Sequence, residues 1–269
     1  MNYDPIKDSV GGFFNKSLAL RKLFYRLLDI LLLRTWHIHK EIKKWQQQNP
    51  NKRQVLDAGC GFAQYSFWMS GLYPMWNIKA VDVKDDYLAD CRLFFGKTNR
   101  SNVSFEVADL TKYHSPQSFD FVLCVDVMEH ILEDVEVFKN FNKSLKSGGM
   151  VLISTPSDKG GSDTDHNEGE SFIGEHVRDG YPMAEIKQKL NTAGFNNVET
   201  RYSYGPWGMM AWRLSMKWPI KALNTSKVFF VLLPFYYTLV MPFCLVLNWM
   251  DANLEIKEGA GLIVKAWKD

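Results

Sequence analysis

The feature that most constrains the fold is a regular alternation that begins at Asn51. Short apolar runs rich in β-branched and aromatic residues alternate there with stretches whose apolar residues recur at helical spacing. This pattern is typical of a parallel sheet whose strands are joined by crossover helices. Five forward strands are predicted, over residues 54–57, 78–83, 103–108, 119–124 and 150–155.

The sequence after the fourth strand predicts how the sheet is completed. A helix should run from Asp134 to Gly148-Gly149, and another between Pro182 and Gly194. Two further strands follow at 198–204 and 261–266, separated by a long insert. We therefore expect an α/β, Rossmann-like fold: a seven-stranded, mostly parallel sheet with flanking helices, an antiparallel last strand, and a hydrophobic insert between strands six and seven.

Composition excludes several classes of protein. The chain has 269 residues, of which 46% are apolar and 23% charged, so it can bury a large core and is not a disordered protein. The formal charge of +2 and the lack of a dense basic stripe argue against nucleic acid as a partner. The four cysteines are too scattered for a zinc cluster and indicate a reducing, cytoplasmic setting.

A glycine-rich turn follows the first predicted strand, in the segment VLDAGCGFA at residues 55–63. Such a turn lets a ligand approach the backbone closely, and the amides at the following helix start face polar or anionic groups. A dinucleotide site would want a third glycine where Gln64 stands. Asp57, just before the turn, would repel a pyrophosphate and suits a cationic ligand better.

Two aspartates end the next strands. Asp82 lies 21 residues beyond Gly61, a distance that places an acidic acceptor against ribose hydroxyls. Asp109 ends the third strand and is suited to accept from an exocyclic amine such as that of adenine. Each aspartate alone is equally well explained as a helix N-cap. Together with the turn, at the carboxyl ends of strands, they favour a nucleoside site.

These residues carry a resemblance to a known family. The chain from about Arg53 to Phe195 resembles the class I S-adenosylmethionine-dependent methyltransferases, specifically the group that includes the ubiquinone and menaquinone biosynthesis methyltransferases. Beside the turn and the two aspartates, the resemblance rests on FDFV at 119–122, DVMEH at 126–130, LKSGG at 145–149, STP at 154–156, HVR at 176–178 and AGF at 193–195.

The resemblance implies S-adenosylmethionine as cofactor and assigns its contacts. Gly59 and Gly61 would approach the methionine moiety, with Asp57 handling its amino group. Ala63 departs from the family, which usually has a third glycine there. The implied cofactor-binding residues are Asp57, Gly59, Cys60, Gly61, Asp82, Val83, Ala108, Asp109, Leu110 and Val125.

The acceptor side is less well defined by the sequence. If the acceptor is a hydroxyl, a base or a metal must help remove its proton, and we expect Glu129, His130 and His176 to be the catalytic residues. A helix cap explains Glu129-His130 about as well, and His166 and Glu175 are further candidates. Met128, Arg178 and Tyr181 are the expected substrate-binding residues. No set of side chains has a diagnostic metal-site spacing, so no metal ligand is assigned and assistance by a divalent metal stays open.

The insert contains 23 uncharged residues at 228–250, long enough to cross a bilayer. Pro234 and Pro242 should cut it into pieces, and both its ends must return to the sheet, so a re-entrant or interfacial hairpin is predicted. Arg213, Lys217 and Lys221 precede it beside tryptophans, as in helices that lie on anionic lipid. Alternatively, the insert packs on the sheet or on a second subunit.

A stripe of leucines marks a helix within residues 18–45, which is expected to cover the cofactor. Four segments are predicted: an N-terminal helical cover (1–50), the cofactor-binding core (51–205), the hydrophobic basic insert (206–257) and the last strand (258–269).

The expected function is methyl transfer to a small, lipophilic acceptor, namely a quinone, an isoprenoid or a lipid headgroup, on the inner face of a membrane. The alternatives are a soluble small-molecule methyltransferase whose insert forms a homodimer, and a membrane-bound cofactor-binding scaffold without chemistry.

Overall fold

The computed structural model describes residues 17–160, 177–226 and 229–269. The chain folds around one seven-stranded sheet in the order β3-β2-β1-β4-β5-β7-β6. The pairs from β3 to β5 are parallel, and β7 is antiparallel to both β5 and β6. The strands are β1 (Gln54–Ala58), β2 (Asn77–Asp82), β3 (Val103–Val107), β4 (Phe119–Val125), β5 (Leu145–Pro156), β6 (Asn197–Ser203) and β7 (Gly261–Trp267). The predicted fold class is confirmed.

Helices cover both faces of the sheet. They are α1 (Leu18–Leu31), α2 (Leu33–Gln48), α3 (Gln64–Leu72), α4 (Asp85–Gly96), α5 (Asp134–Ser144), α6 (Met183–Thr192), α7 (Pro206–Trp212), α8 (Trp218–Thr225) and α9 (Phe229–Asn253). A single 3₁₀ turn (Met128–His130) follows β4, and a π-helical turn (Arg213–Lys217) joins α7 to α8.

Alternation along the strands divides the core into two layers. Residues such as Leu56 and Val122 pack against α5 and α6, whereas their neighbours Val55 and Phe121 pack against α2 and α3. This two-sided burial is the reason that the central strands read as continuous apolar runs. It also places α2 and α5 on opposite faces of the sheet.

One helix boundary was predicted wrongly. The helix after β4 ends at Ser144, not at Gly148-Gly149, because Leu145 is already extended and pairs with Phe119 of β4. The two glycines form an irregular stretch of β5, in which Gly148 has a φ of +66° and its amide donates to the carbonyl of Lys268.

The leucine stripe of α1 faces outward. Leu23 and Leu27 are exposed, whereas Arg21 and Tyr25 are buried against the glycine turn. The Tyr25 hydroxyl and the Arg21 guanidinium both donate to the carbonyl of Phe62 in that turn. The polar residues of α1 therefore hold the turn, and its apolar residues form a surface.

The insert folds into two antiparallel arms, which we call the apolar hairpin (residues 206–253). The first arm is α7, the π turn and α8, and the second is α9. The hydroxyls of Tyr236 and Tyr237 donate to the carbonyls of Leu214 and Ser215, at 2.7 and 2.8 Å. These bonds satisfy carbonyls in the π turn and fasten the two arms together.

The prolines do not divide the second arm, contrary to the sequence prediction. Helix α9 continues through Pro234 and Pro242 for 25 residues. Each proline removes one backbone hydrogen bond, and we attribute the unbroken helix to its packing on the first arm. By length and composition α9 is able to cross a membrane, and only 6% of its most apolar window is buried.

The foot of the hairpin is fixed by Asp251, which is fully buried. Its carboxylate accepts from His37 Nε2 at 2.9 Å, from the Tyr204 amide at 3.1 Å and from the Gly208 amide at 2.9 Å. These contacts join α2, the end of β6 and the start of α7 to α9.

The predicted division into four segments stays a prediction.

Candidate active site

The glycine turn after β1 is tied to the end of β2. The amides of Gly59 and Cys60 donate to the carbonyl of Val81, and the Gly61 amide donates to Asp82 Oδ2 at 2.8 Å. The other oxygen of Asp82 accepts from the Lys84 amide at 3.0 Å. Each carboxylate oxygen of Asp82 keeps a second lone pair, so this side chain orders the turn and is still able to accept from a ligand.

The two glycines of the turn have different surroundings. At Gly59, where φ is +74°, a Cβ would overlap the side chain of Val127. At Gly61, where φ is +50°, nothing lies within 4 Å of the position of a Cβ. Gly59 is therefore required by packing within the protein, whereas Gly61 leaves open space beside the backbone.

Ala63 has a φ of 58° and is fully buried at the start of α3. This left-handed conformation costs a residue with a Cβ about 1–2 kcal/mol. The departure from the family's glycine is thus accommodated with local strain.

Asp57 lies beneath the turn and is 3% exposed. Burial raises its pKa to about 6, although the Ser66 hydroxyl donates to its Oδ2 at 2.6 Å and lowers the pKa. Cys60 is half-buried, and burial followed by the charge of Asp57 raises its pKa well above the ordinary value.

Asp109 lies just after the end of β3, and its side chain makes local hydrogen bonds. Its Oδ1 accepts from the amide and the hydroxyl of Thr111, at 2.9 and 2.7 Å, and these bonds lower its pKa. Leu110 points into the core and Ala108 is half-buried. A ligand would therefore contact only the backbone of Leu110 and mainly the backbone of Ala108. Val83 is exposed beside Asp82, and Val125 is half-buried at the end of β4.

These features fit the cofactor that the resemblance implies. The open space over Gly61 lies beside Asp82, whose carboxylate is suited to ribose hydroxyls. The second oxygen of Asp109 lies 3.8 Å from the Lys112 ammonium group and suits an amine donor. Asp57, near the end of β1 and just before the turn, is a further negative group suited to a cationic ligand.

A polar group that the sequence reasoning missed lies past the end of β4. Arg34 of α2 forms an ion pair with Asp126, which has a left-handed φ of 51°. The Arg34 amide donates to the Tyr204 hydroxyl at 3.2 Å. Burial raises the pKa of Tyr65, and the nearby charges of Arg34 and Asp126 act on it in opposite directions. The Nε atom of Arg34 and the hydroxyl of Tyr65 are buried without a hydrogen-bond partner.

Glu129 borders this group and is 2% exposed. Its pKa is raised to about 8, first by burial and then by the charge of Asp126, although Thr155 Oγ1 donates to Glu129 Oε2 at 3.1 Å. We call Arg34, Tyr65, Asp126, Glu129 and Tyr204 the acceptor-side cluster. His130 is half-buried next to it, and His176, His166 and Glu175 lie outside the described residues.

The structure does not bring the three expected substrate-binding residues to an open surface. Met128 and Tyr181 are fully buried in the core. The Tyr181 hydroxyl donates to Asp134 Oδ2 at 2.7 Å, and Arg178 forms an ion pair with the same carboxylate. In this conformation Arg178 and Tyr181 fix the start of α5, and the substrate-binding role expected of Met128, Arg178 and Tyr181 stays a prediction.

Arg34, Tyr65, Asp126 and Tyr204 were not among the predicted site residues. Of these four, Asp126 alone belongs to a motif named above, DVMEH at 126–130. Arg34 and Tyr204 come from segments that the sequence could not place against β4. Within the described residues no group of three or more histidines, cysteines, aspartates or glutamates is arranged to hold a metal ion.

Replacing Asp57 with asparagine should stabilise the protein at neutral pH. The folded-state pKa of about 6 exceeds the ordinary value of 3.8, so folding favours the neutral acid. Stability should therefore fall as pH rises from about 4 to about 6 and stay reduced above that. Asp57→Asn should remove this fall and add about 1–3 kcal/mol to the free energy of unfolding at neutral pH, measured by urea denaturation.

Asp120→Asn is the matched control with the opposite sign. Burial opposes ionisation of Asp120, but the amides of Gln54 and Arg53, with Lys146, lower its pKa below the ordinary value. Its contribution to stability is present at neutral pH and lost in acid, so Asp120→Asn should destabilise at neutral pH. Equal effects of the two variants would contradict the assignment for Asp57.

Replacing Gly61 with alanine should weaken binding of S-adenosylmethionine by roughly ten-fold or more, because a methyl group would occupy the open space of the turn. The conformational strain should cost about 1–2 kcal/mol of stability. Gly96→Ala is the control, since a Cβ there also meets nothing within 4 Å and Gly96 has no positive φ. Calorimetric titration should separate the two variants; wild-type affinity in Gly61→Ala would mean that the ligand lies elsewhere.

Comparisons with known proteins concern the same part of the chain. Residues 55–149 match the family described as "Methyltransferase domain". Phosphoethanolamine N-methyltransferase 1 of Triticum aestivum is 31% identical over 151 residues, which are 54% of this chain and 29% of that protein. Ubiquinone biosynthesis O-methyltransferase of Neisseria meningitidis is 31% identical over 106 residues, covering 38% of this chain and 44% of that protein. The chain thus spans less than half the length of either relative.

Solved structures show the same fold. Phosphoethanolamine N-methyltransferase 2 of Haemonchus contortus, solved with S-adenosyl-L-methionine, superposes with a TM-score of 0.59 at 19% identity, over 91% of this chain and 60% of that one. This likeness concerns the fold alone. The matched domain includes the glycine turn, Asp82, Asp109 and the end of β4. Residues 55–149 therefore form a methyltransferase domain similar to those of the ubiquinone biosynthesis group, as the sequence resemblance predicts, and S-adenosylmethionine is the cofactor that this resemblance implies.

Proposed function

We propose that this protein transfers a methyl group from S-adenosylmethionine to a lipophilic acceptor held in a membrane. The acceptor is a quinone, an isoprenoid or a lipid headgroup. The observation that carries the proposal is the apolar hairpin, whose exposed arm ends directly beside the acceptor-side cluster. A headgroup is in keeping with the relative that acts on phosphoethanolamine, and a quinone with the ubiquinone relative.

The outer surface of α9 is far more apolar than a water-facing helix. Phe230, Phe235, Leu239 and Phe243 are each about 70% exposed (70%, 71%, 71% and 68%). The outward leucines of α1 add further apolar surface. Contiguous apolar patches of this kind mark binding to a membrane or a protein partner. The uncharged length of the arm favours the membrane.

The foot of the hairpin is connected to the acceptor-side cluster by direct contacts. Asp251 accepts from the amide of Tyr204, and the hydroxyl of Tyr204 accepts from the amide of Arg34. Arg34 in turn pairs with Asp126 at the end of β4. An acceptor that moves along the hairpin from the bilayer would reach the reaction centre at this point.

The mechanism follows from the residues at each side. Gly61 gives the cofactor room at the backbone, and Asp82 and Asp109 would hold its ribose and adenine. When bound, the cofactor supplies a methyl group already activated on a sulfonium. The protein then has to align the acceptor and exclude water.

For a hydroxyl acceptor, Glu129 is the base that would take up the proton. Burial, followed by the charge of Asp126, raises its pKa to about 8, so its capacity to accept a proton should increase as the pH rises toward that value. Arg34 and Tyr65 would donate to the acceptor oxygen through their unpartnered atoms. The roles proposed for His130 and His176 as further proton carriers rest on the sequence resemblance.

We place the protein in the cytoplasm, peripheral on the inner face of a membrane. The four cysteines are free thiols, as in a reducing compartment. Arg213, Lys217 and Lys221 lie on the first arm, where cations favour an anionic leaflet. A homodimer formed through the hairpin is the alternative occupant of the apolar surface.

Label transfer from methyl-labelled S-adenosylmethionine to a membrane-lipid extract tests the proposal. The wild-type protein should place label in the organic phase, and Asp82→Ala should place none there. Phe235→Glu with Leu239→Glu should reduce the label by roughly ten-fold or more, because charged side chains are costly in the bilayer. Met75→Glu with Leu93→Glu changes residues of similar exposure (65% and 67%) away from the hairpin and should retain activity.

Each other outcome identifies an alternative. Label confined to the aqueous phase would contradict a lipophilic acceptor and favour the small-molecule enzyme with a dimerising insert. Cofactor binding without label in either phase would favour a non-catalytic scaffold. Equal losses of organic-phase label in the two double variants would show that the hairpin surface has no specific role in methyl transfer.

A further inference from the structure

The outer face of α2 carries a cavity of about 390 Å³ at the foot of the apolar hairpin. Its lining includes Trp36, His39, Lys40, Lys43 and Lys44 from α2 and Asn253 from the end of α9. We call it the lysine groove.

The charge in the lysine groove is positive. Three lysines face one carboxylate, Asp29, which is also bonded by the side-chain amide of Gln64 at 2.7 Å. Lys40 Nζ donates to the Ala252 carbonyl and to Asn253 Oδ1, at 2.7 and 2.8 Å, which fixes it against the end of α9. Burial, followed by the charge of Lys44, lowers the pKa of Lys40. An anion in the groove would relieve this crowding of positive charge.

One polar atom in the groove lacks a partner. His39 Nε2 is buried without a hydrogen bond, and the nearest carboxylate oxygen, of Asp29, is 3.7 Å away. The ring cannot easily turn, because it stacks on Trp68 with centroids 3.7 Å apart. Burial and the charge of Lys43 lower the pKa of His39 to about 3, so it is neutral and has one N–H to donate. Buried polar atoms normally have partners, so His39 Nε2 is a candidate contact for a ligand of the groove.

The location of the groove fits a headgroup of a lipid. Trp249 lies one turn before Asn253 on α9 and is 56% exposed, and Trp36 lines the groove itself. Tryptophans of this kind lie at the membrane–water boundary, where phosphate groups are found. If the hairpin enters the bilayer, the groove at its foot would face that layer.

We propose that the lysine groove binds the phosphate group of an anionic lipid headgroup. Lys43 and Lys44 supply mobile charge, Lys40 a fixed ammonium and His39 a directed donor. Point-charge ammonium groups are suited to phosphate. The proposal rests on the membrane binding proposed above and adds a recognition site apart from the methyl-transfer site.

The test compares two double variants of equal charge. Lys43→Gln with Lys44→Gln removes two exposed lysines of the groove, and Lys44 is 4.0 Å from its nearest carboxylate, Glu41. Lys139→Gln with Lys143→Gln is the control, on α5 at the opposite face of the sheet. These lysines lie 3.3 and 4.0 Å from Glu136 and are similarly exposed.

Binding is measured to vesicles of phosphatidylcholine, with and without phosphatidylglycerol, and to soluble glycerol phosphate. The wild type should prefer the anionic vesicles, and the groove variant should lose roughly 10- to 30-fold of that affinity. The control variant should keep the preference. Loss of glycerol phosphate binding, with vesicle binding unchanged, would support a phosphate site filled by a free ester.

Equal behaviour of the groove variant and the control in both arms would overturn the proposal. The two proposals can fail separately. If the wild type ignores every vesicle, the membrane proposal fails, and the glycerol phosphate titration still tests the groove. If all variants bind neutral vesicles and none distinguishes anionic ones, the hairpin stands and the groove is only a solvated surface.

Discussion

The buried carboxylate of Asp251 is the contact on which the arrangement of the hairpin depends. Arg201 donates to His37 Nδ1 at 2.9 Å, which leaves the ring hydrogen on Nε2 for donation to Asp251, and burial lowers the pKa of His37. Arg201 and Lys265 both pair with Glu41, which extends the network under the edge of the sheet. Loss of one partner of a buried pair costs about 3–5 kcal/mol. These contacts therefore attach the foot of the hairpin firmly to the sheet and to α2.

The contacts of Asp251 and His37 also position the acceptor-side cluster. Tyr204 follows β6 directly, and its position depends on the bond from its amide to Asp251. Arg34 lies one turn before His37 on α2, so the same network orients it toward Asp126. The cofactor side is built instead from consecutive residues of the glycine turn and from strand ends. One half of the site is thus local in sequence and the other is assembled by tertiary contacts.

That difference decides how much the sequence could predict. The strands, the turn and the aspartates at strand ends follow from periodicity and from glycine geometry, and the structure places them as expected. The cluster of Arg34, Tyr65 and Tyr204 could not be predicted, because no local pattern brings α2 and the end of β6 to β4. Periodicity also could not say which face of α1 is buried: Arg21 finds enough partners in the turn to lie inside, while the leucines lie outside.

The prolines of α9 and the residues around Asp134 show the same limit. A proline inside a helix removes a backbone hydrogen bond, yet α9 continues through Pro234, and the adjacent Tyr236 and Tyr237 bond to the first arm. Tyr181 and Arg178 both contact the buried carboxylate of Asp134. In both places a tertiary partner that no local pattern reveals takes part in setting the conformation.

We propose that the apolar hairpin brings a membrane-held acceptor to the active site. The methyl transfer itself does not require the apolar surface of the hairpin. The most direct measurement is methyl transfer by the Phe235→Glu, Leu239→Glu variant to the same lipid extract, presented once in bilayers and once dispersed in detergent. The account predicts a large loss in bilayers and near wild-type rates in detergent. An equal loss in both would contradict it, because the hairpin would then act on the fold or the reaction centre and not on access to the membrane.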